Sequence, residues 1–255
     1  MTSARRQKPS FRGIGQENES GLHRALKFFY AEPGRTEETL DGFVCDAIGP
    51  GGEAVEIQTG NFSALKNKVP LLAARGKVRL IYPVIVNKNI ELYDAEGNLL
   101  SRRKSPRKGT AWDIFNELIY APGLVGLPGL TVEIALVDAT ERRRDDGKGS
   151  WRRKGISIED RILDSWREGV VLEKKSHWLR FLPLEGEFTA KTMAPAARIS
   201  PVLARKTLYV LEKAGLVEKP RKEGRSWVYR TAGKKPPSPA KRRGKKPPPR
   251  ARPAD

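Results

Sequence analysis

Three polar side chains interrupt two short apolar segments, and their spacing could support metal chemistry. Asp46 lies in FVCDAI (43–48), and Glu56 and Gln58 lie in EAVEIQTG (53–60). The intervening GPGG is a strong turn signal, so the two segments are predicted to form a β-hairpin. Side chains two residues apart share one face of a strand. Glu56 and Gln58 therefore project together, with Asp46 opposite or nearly opposite them.

Carboxylates placed in this way could hold a divalent cation, because such ions prefer hard oxygen ligands. Asp46 and Glu56 are the candidate metal ligands, and Gln58 would lie near the water or the phosphate. Glu19, at the start of the first predicted helix, is the natural third acid. The alternative is a half-solvated strand, in which a polar residue at every second position has no chemical role.

The flanking patterns predict the elements that would position these residues. Helical and strand periodicities alternate through residues 17–140, which favours an α/β domain with a mixed sheet. The predicted elements, in chain order, are a helix (19–30), the hairpin (43–60), a helix (61–76), a buried strand (78–86), a second hairpin (90–103), a helix (110–120) and a strand (129–139).

The order of the acids resembles the PD-(D/E)XK nuclease superfamily, in particular its Holliday-junction-resolvase-like and restriction-endonuclease-like members. In that family an early helix carries a Glu, one strand an Asp and the next Glu-x-Lys, and a helix then crosses to another strand. Glu19, Asp46 and Glu56-Ile57-Gln58 occupy these places. The resemblance implies that Glu19, Asp46, Glu56 and Gln58 are the catalytic group of a DNA endonuclease that uses Mg²⁺ or Mn²⁺.

Two departures from the family pattern leave alternatives open. Gln58 stands where the family's Lys orients or activates water, although some members use Gln; Lys66 or Lys68, one helix onward, could compensate. The strand expected between the helical Glu and the Asp is at most part of 37–40. If the chemistry has been lost, the core would be the scaffold of a non-catalytic DNA-binding protein or regulator.

Residues 187–232 resemble a winged helix-turn-helix. Two predicted helices (about 189–197 and 201–214) precede two strands around a basic tip at Glu223 and Gly224. In that family the second helix enters the major groove and the wing contacts backbone or minor groove. Winged helices also serve as protein-interaction modules, which is the alternative. Carried over by position, the DNA contacts are Ser200, Arg205, Lys206, Arg221, Lys222 and Arg225.

A second basic stretch, SRRKSPRKG (101–109), lies inside the first domain. Its flanking Ser and Pro favour an ordered turn, and its cations could follow a phosphate backbone. A solvated loop is the alternative. The residues concerned are Arg102, Arg103, Lys104, Arg107 and Lys108.

The charge indicates a polyanionic partner, with DNA as the expected one. The 255 residues include 49 Lys+Arg and 30 Asp+Glu, a net charge of +19; residues 1–140 carry +2 of it and residues 141–255 carry +17. One Cys excludes an intramolecular disulfide and a Cys-based zinc site, and two distant His disfavour a His-rich metal site. With no apolar run of about 18 residues and no signal-like start, a cytoplasmic, nucleoid-associated bacterial protein is expected.

The chain is predicted to divide into five parts. It is similar to uncharacterised bacterial proteins that join a nuclease-like core to a winged helix, and a homodimer would fit because many such nucleases cut two strands as dimers. The mixed-charge stretch 141–155 predicts a linker, and 156–169 predicts a bridging helix. The parts are a flexible N-terminus (1–16), the nuclease-like domain (17–140), a linker with a bridging helix and strand (141–186), the winged helix (187–232) and a disordered Pro/Lys/Arg-rich tail (233–255).

Overall fold

A computed structural model describes residues 19–40 and 42–233 of the chain. The helices are α1 (Gly21–Tyr30), α2 (Leu65–Ala73), α3 (Phe115–Leu118), α4 (Ala190–Ala196) and α5 (Pro201–Lys213). The strands are β1 (Thr36–Leu40), β2 (Phe43–Ile48), β3 (Ala54–Ile57), β4 (Val78–Tyr93), β5 (Leu99–Lys104), β6 (Leu130–Asp145), β7 (Ile156–Trp166), β8 (Val170–Leu172), β9 (Glu187–Thr189), β10 (Val217–Glu223) and β11 (Ser226–Thr231). The predicted flexible N-terminus lies outside the described residues, as does all of the predicted tail after Gly233.

The main sheet is mixed, as predicted for an α/β domain. Its strand order is β1-β2-β3-β4-β6-β7, with β5 paired to β4 and β8 paired to β6. Strand β3 is parallel to β4, and β4 is parallel to β6, whereas β1, β2 and β7 pair antiparallel. The predicted hairpin forms, and Gly52 of its turn has a φ of 75°, a left-handed conformation that glycine adopts without strain.

Two apolar layers cover the opposite faces of this sheet. On one face, Leu22 and Leu26 of α1 pack on Val55, Ile57 and Ile81. The other face, lined by the alternate residues of the same strands, carries α2, α3 and the 3₁₀ segment Lys175–Phe181. Helices α4 and α5, with the three-stranded sheet β10-β11-β9, join this second layer in one continuous core. The main sheet therefore has helices on both faces, which is the arrangement an α/β domain requires.

The predicted linker and bridging helix are both wrong. Residues 141–155 continue β6 and then turn, and 156–166 form strand β7. The pairing of β7 with β6 skips Glu159 and Asp164, so two β-bulges interrupt the strand. Each bulge adds one residue and so shifts the alternation of side chains between the two faces. The sequence of β7 therefore lacks the period of two that indicates a strand, and its apolar residues have spacings that resemble those of a helix.

Strands β4 and β6 are also longer than predicted. Each has 16 residues, and both continue well past the point where β3 ends. With β5 and β7 they form a four-stranded extension, here called the arm. Because Arg102, Arg103 and Lys104 lie in β5, the predicted basic turn is in part an exposed edge strand.

Candidate functional site

Asp46 and Glu56 lie next to each other where β2 and β3 separate. In the ladder between these strands, Ile48 pairs with Ala54 on the side nearer the turn, and Ala47 pairs with Val55. Beyond that pair, the backbone N–H of Ile57 donates to Asp46 Oδ2 at 2.7 Å, so the carboxylate takes the place of a strand carbonyl. The register, continued by one residue, sets Asp46 opposite Glu56, as the turn predicted.

Helix α1 and the residue before its N-cap supply ionisable groups near Asp46. His23 and Lys27 lie four residues apart on one face of the helix, and Glu19, which precedes the N-cap Ser20, contacts both. His23 Nε2 lies 3.4 Å from Asp46 Oδ1 and 3.5 Å from Glu19 Oε1, and Lys27 Nζ lies 2.8 Å from Glu19 Oε1. Burial would raise the pKa of Asp46, but the hydrogen bonds from His23 and Ile57 N–H, with the charge of Lys27, lower it.

Lys68, the second of the two lysines considered above, reaches Glu56 from α2. Its Nζ is 2.5 Å from Glu56 Oε1 and donates to the carbonyl of Val44 at 2.6 Å, while Lys66 is exposed to solvent. Glu56 is buried, and this burial, with the negative charge of Asp46, raises its pKa although Lys68 opposes the shift. The two acids thus receive partners from helices on opposite faces of the sheet.

Gln58 does not join the acids as predicted. Its side-chain amide donates to the carbonyl of Gly60, and its backbone N–H donates to Ile81 at 2.9 Å. The strand ends at Ile57, so the strict alternation that would pair Gln58 with Glu56 no longer applies at that residue. Gln58 shapes the loop after β3, and Lys68 is the polar side chain beside Glu56.

The candidate metal ligands at this site are two carboxylates, those of Asp46 and Glu56. Glu19 Oε1 and Glu56 Oε1 are buried and receive no well-aligned hydrogen bond, although a lysine Nζ is close to each. Within residues 19–40 and 42–233, no group of three or more His, Cys, Asp and Glu side chains is arranged to hold a metal ion. Mg²⁺ is commonly held by one or two carboxylates, and its remaining ligands are water and phosphate oxygens. Asp46 and Glu56 can provide the carboxylates.

Comparison with known proteins places the site inside a family. Residues 20–173 match the sequence model of a family described as "Domain of unknown function (DUF8091)". The chain belongs to this family. A Treponema pallidum (strain Nichols) protein described as "Uncharacterized protein" is 30% identical over 215 residues, which cover 83% of this chain and 85% of the relative. No solved structure matches the chain.

The DUF8091 match contains the hairpin, Lys68 and the whole arm, and it begins one residue after Glu19. It ends before α4, so the C-terminal unit (β9 to β11, with α4 and α5) lies outside the matched residues. None of the helices in the described part of the chain is long and apolar enough to cross a membrane.

An open groove of about 620 Å³ lies between the DUF8091 domain and α5. Ser20 and Thr59, the sequence neighbours of Glu19 and Gln58, form part of its lining. Acidic side chains also line it, including Asp113, Glu117 and Glu141. Its cations are Lys88, Arg107, Arg161 and Lys206.

The predicted DNA-contacting residues of α5 have different environments. Ser200 caps the helix by accepting from the N–H of Leu203 at 3.2 Å. Lys206 is turned toward the DUF8091 domain, where its Nζ donates to Asn116 Oδ1 at 2.8 Å. Arg205 is exposed on the outer face, near the position of Tyr209 one turn further on. Only this outer face is available to a large ligand.

The cations of the β10–β11 hairpin also differ in their environments. Arg221 is neutralised by Glu187 and by Glu223, the latter at 2.6 Å. Lys222 Nζ lies 4.6 Å from the ring centroid of the partly exposed Trp227. Arg102 of β5 pairs with Glu91. In the described part of the chain, seven predicted contacts are exposed and have no ion-pair partner: Arg103, Lys104, Arg107, Lys108, Arg205, Lys222 and Arg225.

Cys45, the chain's one cysteine, reports on the packing beside Glu56. It is fully buried, and burial together with the charge of Glu56 raises the pKa of its thiol to about 12. Because the thiolate is the reactive form, a disulfide reagent at pH 8 is expected to modify the native protein at least about 100-fold more slowly than the unfolded protein. Equal rates in buffer and in denaturant would contradict this packing.

Proposed function

We propose that this protein is a metal-dependent DNA endonuclease of the PD-(D/E)XK type, and that its C-terminal unit is a winged helix that holds DNA. The observation that carries the proposal is the pair Asp46 and Glu56 on adjacent strands, with Lys68 Nζ beside Glu56. Helix α1 with Glu19, then β1, β2, β3, α2 and the parallel strand β4 follow the order of the family pattern. Strand β1 supplies the element that the sequence indicated only in part.

The chain's own residues have distinct roles in this mechanism. Asp46 and Glu56 would hold the metal, which when bound polarises the phosphodiester and activates water. Lys68 places a positive charge at the same carboxylate, in the role that the family assigns to the motif Lys. Glu19 holds Lys27, and both flank His23 beside Asp46, so the α1 layer positions the aspartate.

The C-terminal unit supports a role in binding. Helices α4 and α5 follow one another closely, and the β10–β11 hairpin pairs with β9, which is the order of a winged helix-turn-helix. Arg205 on α5 and Arg225 at the hairpin tip are the exposed cations that would meet phosphates. The basic segment after Gly233 would add non-specific affinity by counterion release, and the protein would act on DNA in the cytoplasm.

Cleavage by the full-length chain tests the proposal. The purified protein is incubated with supercoiled, linear and branched DNA, with Mg²⁺ or Mn²⁺ and, in parallel, with EDTA. We expect cleavage of at least one of these DNAs that EDTA abolishes. An absence of cleavage on all three, or cleavage that EDTA leaves unchanged, would overturn the metal-dependent mechanism.

A non-catalytic DNA-binding protein is the second candidate function. The internal ion pairs favour it, because Glu56 is already partnered by Lys68 and Asp46 by His23. Under this alternative the same protein binds DNA with an affinity that falls steeply as salt rises, and no strand is cut under any condition.

A further inference from the structure

The tip of the arm (residues 146–155) presents one tryptophan to solvent. Trp151 is 83% exposed, and it begins a 3₁₀ turn that continues to Arg153. Hydrogen bonds hold the turn in place: Gly149 N–H donates to Gly155 at 2.7 Å, and Lys154 N–H donates to Trp151 at 3.0 Å. The Trp151 ring is therefore attached to an ordered turn, and its burial against a partner would contribute favourably to the free energy of binding.

Four cations lie within three residues of this tryptophan in the sequence, and none has an ion-pair partner among the described residues. They are exposed, and the guanidinium of Arg152 lies 5.5 Å from the centroid of the Trp151 ring. The one acid of the tip, Asp146, accepts from Lys148 N–H and from the Ser157 hydroxyl. The four cations are Lys148, Arg152, Arg153 and Lys154.

Three arginines of β6, which lie in the strands of the arm and not at its tip, do have ion-pair partners. Arg142, Arg143 and Arg144 are consecutive in β6, and each pairs with a glutamate: Arg142 with Glu91, Arg143 with Glu141 and Arg144 with Glu159. In β6 the fold thus pairs three consecutive arginines with glutamates, whereas the cations of the tip have no ion-pair partner among the described residues. This contrast points to an external anion at the tip.

The arm extends from the edge of the sheet that carries the candidate site. Strands β3, β4 and β6 are parallel, so their C-terminal ends point the same way. Ile57, at the end of β3, pairs with Ile81, and β4 continues for twelve more residues to Tyr93. Helix α1 packs along the arm, where Gly21 N–H donates to Asp160 Oδ1 at 2.7 Å.

We infer that the arm tip binds nucleic acid that has unpaired bases, with Trp151 stacked on a base and the surrounding cations on the phosphates. A free base has an open π-face, whereas a paired base within a duplex has its faces covered by its neighbours. A lipid surface fits less well, because the tip has no second bulky apolar residue to insert beside Trp151. The choice of nucleic acid as the partner rests on the proposed function, in which the protein acts on DNA.

Binding in EDTA, where metal-dependent cleavage cannot interfere, tests this inference. Fluorescence anisotropy is measured with dye-labelled poly-dT, a blunt duplex and a duplex that contains an unpaired loop. Trp151→Ala is expected to weaken binding to poly-dT and to the looped duplex about 10-fold or more, with little change on the blunt duplex. Trp151→Phe should retain most of the affinity, and Phe28→Ala, which removes a 68% exposed aromatic on α1, should retain all of it.

The outcomes separate this inference from the proposed function. Unchanged binding of Trp151→Ala to unpaired DNA, or an equal loss on all three probes, would overturn the role of the tip even if the wild type cleaves DNA. Anionic lipid vesicles are tested as a fourth probe. If Trp151→Ala loses binding to the vesicles and to none of the DNA probes, the tip would be assigned to a membrane and the inference would be overturned. Selective loss on unpaired DNA supports the inference even where no cleavage occurs.

Discussion

Asp46→Asn and Glu56→Gln are each expected to reduce metal-dependent DNA cleavage by about 100-fold or more while the protein stays folded. Both changes remove one carboxylate charge and leave an amide of almost the same shape. An amide at position 46 can still accept the hydrogen bond from Ile57 N–H, and an amide at position 56 still places an oxygen beside Lys68 Nζ. The expected loss follows from the several kcal/mol that a correctly held metal contributes to charge stabilisation.

The matched control is Glu38→Gln on the neighbouring strand β1. Glu38 pairs with Arg35, is partly exposed and lies outside the cluster of acids, so its amide variant should cleave like the wild type. Thermal unfolding and the reactivity of Cys45 verify the fold of each variant. Equal cleavage by the wild type and by folded Asp46→Asn or Glu56→Gln would remove both acids from the mechanism.

Glu141→Gln is expected to lower the free energy of unfolding by about 3 kcal/mol at pH 7, because it removes one partner of a buried ion network. Glu141 is 2% exposed, and one carboxylate oxygen lies 2.6 Å from Arg143 while the other lies 3.1 Å from both Lys88 and Arg161. Without the carboxylate, three cations are left facing one another within the arm. Denaturant titration measures the difference.

The pH dependence of this effect has a definite sign. Burial would raise the pKa of Glu141, but Arg143, Arg161 and Lys88 outweigh it and lower the pKa from 4.5 to about 2. The stabilisation is therefore complete above pH 4.5 and is lost as the pH falls from 4.5 towards 2. The wild type and Glu141→Gln should approach the same stability over that interval.

Glu159→Gln serves as the control for the ion network. Glu159 pairs with Arg144 in the same arm, but its side chain is largely open to solvent, so its loss should cost less than about 1 kcal/mol. A destabilisation as large as that of Glu141→Gln would show that the cost comes from the arm in general and not from burial of the Glu141 carboxylate.

Local signals in the sequence were sufficient for the elements nearest the acids. The GPGG turn predicted the β2–β3 hairpin, and period-two alternation on both sides of the turn predicted which residues face each other. The spacing of Leu22 and Leu26 predicted α1, and the structure shows Ser20 as its N-cap. The spacing of Glu19, His23 and Lys27 at intervals of four was also visible, and it could have indicated that these three side chains contact one another.

Local signals failed where the ladder is irregular. The bulges at Glu159 and Asp164 add one residue each, so the apolar residues of β7 no longer alternate and β7 was predicted as a helix. The mixed charges of residues 141–155 predicted a linker, but most of these residues belong to β6 or to the tip of the arm. The glutamates that pair with the arginines of β6 lie mostly on other strands, so the sequence of β6 alone gives no periodic signal of these ion pairs.

The sequence by itself determined the mixed α/β class, the hairpin that brings Asp46 opposite Glu56, and the excess of +19 that indicates a polyanionic partner. The tertiary structure decided which cations remain exposed without an ion-pair partner. Packing placed Lys68 beside Glu56 and turned the Gln58 amide to Gly60, and it paired three arginines of β6 with glutamates while leaving the cations of the arm tip exposed. The physical reason is that a charge's availability depends on neighbours from other elements, which no local pattern encodes.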